Sequence, residues 1–199
     1  IEQLIILIRM DAFRFTGLDK HHIMWNAHLR YNKKQSVSLP KLFKEKQVHY
    51  ELPKISTNFK IEAYDQIQLL GFPLISRFRL LQNTMQSSIT AKDLKNFINK
   101  TVVIYGNLVT AKGTPTADKR LMHFGTFLDV NGDVFDTVHF PFISEKFSIK
   151  AKGIYQITGK VVEELGYYTI IVEKIYFQPI VQDPRHHSKE NSNKNINLI

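Results

Sequence analysis

Leu121–Pro141 reads LMHFGTFLDVNGDVFDTVHFP. Two runs rich in aromatic and β-branched residues stand on either side of Asn131-Gly132. Asn-Gly supplies the positive φ angles that a two-residue hairpin turn requires, and the flanking residue types suit a pleated, half-buried surface. The segment therefore predicts a hairpin of strands at Arg120–Leu128 and Val134–Phe140. Working outward, Val102–Thr110, Ile154–Glu163 and Tyr167–Phe177 have the same composition, and Leu165-Gly166 punctuates the last two. Between the third and fourth strands, Pro141–Lys152 carries Phe142, Ile143, Phe147 and Ile149, spaced for a short helix that plugs one end of a barrel. Five strands with a helix between the third and fourth is the order of the OB-fold, a partly open Greek-key barrel.

The residues before the barrel follow a different period. Residues 1–31 read as helical: Leu4, Ile5, Leu7 and Ile8 form an apolar patch, a break follows near Asp11, and Asp19 is placed to cap a second helix through Ile23, Met24, Ala27 and Leu29. Lys33-Lys34, Pro40 and Pro53 mark 32–60 as an extended linker. Residues 61–99 hold two short helices leading into the barrel. One has Ile61, Tyr64, Ile67 and Leu70 on one face and stops at Gly71; the other starts at Thr90 with Asp93 three residues on, a capping-box pattern. The barrel itself occupies 100–182, and 183–199 reads as a disordered tail. The fold class expected is α+β, a short N-terminal helical segment plus a five-stranded Greek-key OB barrel.

Composition narrows the function. The 199 residues include no cysteine, which removes disulfides, thiolate zinc sites and cysteine nucleophiles. The longest aliphatic run, Leu4–Ile8, falls far short of the roughly 20 residues that span a bilayer. The net charge is +9, and residues 1–60 hold 11 Lys/Arg against 5 Asp/Glu, whereas 100–182 hold 9 against 8. Such a balance favours a polyanionic partner. Catalytic chemistry has no foothold. Asp129, Asp133 and Asp136 lack the spacing of a calcium loop, and there is neither a Gly-rich phosphate loop nor an HExxH motif. The expectation is a chain that is no enzyme by itself and carries no cofactor.

Ile61–Leu74 (IEAYDQIQLLGFPL), Leu7–Trp25 (LIRMDAFRFTGLDKHHIMW) and Leu121–Pro141 occur in an order that resembles the C-terminal half of the bacterial replicative DNA polymerase III alpha subunit. The resemblance covers most of residues 4–180. It implies a noncatalytic piece of a DNA-directed DNA polymerase whose Mg²⁺-dependent palm lies upstream. Residues 1–31 would be the end of that family's helix-hairpin-helix region. The implied partners are single-stranded template DNA, the sliding clamp and other replicase subunits, with no membrane, in the bacterial cytoplasm at the nucleoid. The alternative is a stand-alone OB module that binds RNA in the manner of tRNA-anticodon domains; a structural scaffold without nucleic-acid affinity is a third reading.

The candidate contacts follow from these readings. In OB modules the first connecting loop helps frame the ligand groove, so Lys112, Lys119 and Arg120 in Ala111–Arg120 are candidate phosphate contacts, the other reading being a solvated hairpin. Phe124 and Tyr105 are the aromatic residues chosen for stacking on bases, and alternation places Phe124 and Phe127 on opposite faces. In the linker, Ser38–Phe43 (SLPKLF) resembles the family's clamp-binding peptide, with Leu39, Leu42 and Phe43 as anchors, unless these dock on the protein's own surface.

Overall fold

A computed structural model describes residues 1–31, 55, 58–85, 89–147, 149 and 151–185. They form two compact units, one within Ile1–Ile75 joined by residues from Asp183 onward, the other Ser76–Gln182.

The first unit contains α1 (Glu2–Arg9), a 3₁₀ turn at Arg14–Thr16, α2 (Lys20–Tyr31) and α3 (Phe59–Leu70), with α1 packed on both other helices. Asp19 caps α2 as the sequence indicates: its Oδ1 accepts from the N–H groups of His21 at 2.9 Å and His22 at 3.2 Å. Asn58 does the same for α3, accepting from the Lys60 N–H at 3.0 Å, and Gly71 ends that helix at φ 83°. The buried face of α3 is not the expected one. Ala63 and Gln66 are enclosed, while Ile61 is 38% exposed. The reason is polar: Gln66 Oε1 accepts from the Leu74 N–H at 2.8 Å, satisfying a backbone donor released by the turn after Gly71. Asp183 and Arg185, expected in the tail, belong to this unit, where Arg185 Nη1 donates to Asp65 Oδ1 at 2.8 Å.

The second unit is a closed barrel of β1 (Thr101–Pro115), β2 (Leu121–Leu128), β3 (Val134–His139), β4 (Ile154–Glu164) and β5 (Tyr167–Gln178), in the order β1-β2-β3-β5-β4. All pairs are antiparallel except β3 with β5. This is the OB-fold arrangement anticipated from the strand order. β1 serves two neighbours, pairing with β4 through Thr101–Asn107 and with β2 through Asn107–Pro115. Val109 has no counterpart on β2, a bulge that bends the strand where the barrel closes. β1 also runs five residues past the expected end at Thr110, because β2 offers partners as far as Leu121. The expected loop over 111–119 therefore shrinks to Thr116–Arg120.

Val102, Ile104, Leu108, Phe127, Phe135, Ile157 and Ile170 lead the core. The β4–β5 bulge brings Gly159 so close to the backbone carbonyl of Ile171 that a Cβ there would collide with it. After β3, α4 (Pro141–Lys146) and the residues that follow it plug the barrel, with Ile143 from the helix and Phe147 and Ile149 after it packed against the core. Phe142, expected to share in this plug, lies on the other side of the short helix and is 67% exposed.

A 3₁₀ turn at Ala91–Asn96 precedes β1. Its Thr90 N–H and hydroxyl both donate to Asp93 Oδ2, at 3.0 and 2.6 Å, which holds the Asp93 carboxyl below its ordinary pKa. Asp129 fastens that turn to the β2–β3 hairpin. It is buried, its Oδ1 accepts from Asn131 N and Asp133 N, and its Oδ2 accepts from Ala91 N at 2.8 Å. The β2–β3 turn thus has a buried carboxylate at its root, kept there by three backbone donors. No helix among the described residues is long and apolar enough to cross a membrane.

Candidate nucleic-acid interface

The outer wall of the barrel carries a groove of about 500 Å³ lined chiefly by β2, β3, β4 and β5. Strand alternation explains its composition. On β2, Phe127 points inward and is fully buried, whereas Phe124 points outward and is 44% exposed, so the two are separated as expected. The pairing register then sets the residues beside Phe124. Lys112 on β1 is its partner on one side and Val138 on β3 on the other. Val138 pairs with Ile171 on β5, which pairs with Lys160 on β4. Partners in a ladder share a face, so Lys112, Phe124, Val138, Ile171 and Lys160 form one row across five strands. An aromatic and two aliphatic side chains make its middle, and an exposed lysine stands at each end.

The neighbouring row is polar. Thr126, Asp136 and Thr169 succeed one another through the same ladders, and Thr126 Oγ1 donates to Asp136 Oδ1 at 2.7 Å. Beyond it, on the β4–β5 hairpin, Glu164 pairs with Tyr167, which is 78% exposed. Met122 and Phe140 close the opposite end of the groove.

Directly behind the groove the wall is polar and buried. The Thr137 hydroxyl donates to Gly125 O at 3.0 Å, so its oxygen accepts from His139 Nε2 at 2.9 Å. That assigns the proton to Nε2 and leaves Nδ1 buried without a hydrogen-bond partner among the described residues. Burial of the His139 ring pushes its pKa down to about 4, and the charge of His123 on the paired strand adds to the shift. His139 is therefore a neutral part of the wall, closed to a ligand.

Several sequence-based candidates find different places. Lys112 lies on a strand, in the row, rather than in a loop. Lys119, at φ 60°, and Arg120 stand at the tip of the β1–β2 hairpin, past the last pair of Pro115 with Leu121, and Arg120 Nη2 is 3.9 Å from Asp118. Tyr105, chosen as a surface ring, is only 5% exposed, and its hydroxyl accepts from Gln156 Nε2 at 3.1 Å. It offers no stacking platform, because β1 is covered there on both faces. Leu39, Leu42 and Phe43 lie outside the described residues. Sequence reading passed over Lys160, Val138 and Ile171 and weighed Asp136 only as part of a calcium loop; strand alternation marks each as outward-facing, but only the register joins them to Phe124.

No protein-family model matches the chain, and no curated protein does. Among solved structures, the second OB-fold domain of replication protein A from Methanococcus maripaludis is 18% identical, covering 40% of this chain and 85% of that one at a TM-score of 0.31. The mitochondrial single-stranded DNA binding protein Rim1 of S. cerevisiae is 10% identical, over 41% and 98%, at 0.34. The SSB domain of a Synechococcus sp. protein is 6% identical, over 46% and 99%, at 0.32. At these scores the matches carry no weight for function. The OB assignment stands on the strand order of the barrel itself.

Proposed function

We propose that the barrel binds single-stranded DNA along its outer groove, without catalysing a reaction. The row from Lys112 through Phe124 to Lys160 carries this reading. Single strands are held by an aromatic face for a base and by cations for the backbone on either side, and the row supplies both on the outer face of the barrel. Phe124 stacks a base; Lys112 and Lys160 neutralise phosphates at the two ends of the row. With two carboxylates lining the groove and the lysines at the ends of the row, the binding is weak and sensitive to salt.

Assignment to a replicative polymerase of the polymerase III alpha class, with the sliding clamp and other replicase subunits as partners at the bacterial nucleoid, rests on the three sequence stretches that resemble that family. The test of the binding reading is fluorescence anisotropy with a labelled single-stranded oligonucleotide. Phe124→Ala should weaken binding by about 1–3 kcal/mol, the worth of one stacked base, with thermal unfolding little changed because the ring is half open to solvent. Equal affinity of variant and wild type would remove Phe124 from the interface.

A further inference from the structure

The groove has one acidic feature that mere backbone binding does not need, the Asp136 carboxylate in the middle of its polar row. From it we infer, resting on the single-strand reading above, that the groove selects bases bearing an exocyclic amino group at the stacking position and disfavours thymine and uracil. Phe124 pairs with Val138, and Asp136 lies two residues before Val138 on the same strand and face. Such diagonal neighbours are about 7–8 Å apart, so the edge of a pyrimidine stacked on Phe124 reaches Asp136. Glu164 lies farther off, two strands beyond β3 at about 4.8 Å per strand, out of reach of the same base.

The chemistry of Asp136 fixes the preference. Its Oδ1 accepts the Thr126 hydroxyl at 2.7 Å, and Oδ2 makes no hydrogen bond among the described residues. A carboxylate only accepts. Cytosine presents its N4 amino group as a donor, whereas uracil and thymine present the O4 carbonyl at the same position. The Thr126 proton is committed to Asp136, so it cannot compensate for an incoming carbonyl. One edge is bonded and the other is repelled.

Oligo(dC) and oligo(dU) of equal length differ only along this base edge, and both can be titrated into the full chain by fluorescence anisotropy at one salt concentration. Wild type should bind oligo(dC) at least about fivefold more tightly, less than one full hydrogen bond to a charged group supplies. Asp136→Asn keeps the shape and the acceptor for Thr126 but adds a donor, and should reduce that ratio towards one while oligo(dU) binding strengthens. Equal wild-type affinities, a preference for oligo(dU), or a ratio unmoved by Asp136→Asn would overturn the inference and leave the binding reading intact. Binding of neither oligonucleotide would overturn both.

Discussion

The helical unit and the barrel handle charge in opposite ways. In the helical unit cations are turned inward on one carboxylate: Asp65 takes Arg9 at 2.6 Å, Lys20 at 3.4 Å and Arg185 at 2.8 Å. Behind the groove of the barrel the buried polar pair is uncharged, Thr137 with a neutral His139, and Lys112 and Lys160 project from the outer face. The chain's positive excess is concentrated in its first third, yet two of the basic residues there serve to hold helices together. The cations best placed for a ligand belong to the half whose net charge is nearly balanced. Where charge is counted and where it is available are separate questions, and pairing decides the second.

That contrast is broken most strongly by acid. His139 has its folded pKa lowered to about 4 from an ordinary value of 6.5. Above 6.5 the ring is neutral in both states and the barrel has its full stability. As pH falls through the interval the unfolded chain takes up a proton that the folded one refuses, and stability declines until about pH 4. The loss by about pH 4.5 amounts to roughly 2–3 kcal/mol. Urea unfolding at about pH 7.5 and about pH 4.5 should show His139→Gln losing that much less than wild type between the two conditions. Identical pH dependence in both proteins would mean that the ring is charged or solvated in the folded state.

A smaller effect separates the two units. Asp65→Asn leaves three cations facing an uncharged amide, and should destabilise the helical unit by roughly 1–3 kcal/mol, less than a fully buried pair would lose because Arg9 and Arg185 are partly exposed. Amide hydrogen exchange in α3 should accelerate while oligonucleotide affinity stays constant. Unchanged exchange, or a matching loss of affinity, would show that the charges of the helical unit are not spent internally.

Much of this was legible in the residues. Asn131-Gly132, the β-branched runs and the apolar run of Phe142, Ile143, Phe147 and Ile149, of which only Phe142 turns outward, mark the barrel and its plug, and Thr90 with Asp93, Asp19 and Gly71 mark helix ends through local chemistry. The failures share a cause. Tyr105 and Phe124 are both aromatic and both lie on strands; which of them is covered depends on elements distant in sequence. The end of β1 is set by the length of its partner β2, not by its own composition. The buried roles of Gln66 and Asp129 arise from backbone donors that exist only once the turns have formed. Lys160 is an ordinary strand lysine until the β4–β5 and β3–β5 registers align it with Phe124. Local rules reached the elements, and cross-strand pairing made the site.

The salt dependence of single-strand binding tests most directly whether the barrel row, rather than the basic helical segment, meets the phosphates. Each phosphate contact on a single strand contributes about 0.7 to the slope of log affinity against log salt. Lys112→Ala combined with Lys160→Ala should flatten the slope by about 1.4, whereas Lys119→Ala with Arg120→Ala, at the hairpin tip, should change it less. A slope that stays at the wild-type value in the Lys112/Lys160 variant would contradict the groove as the binding site.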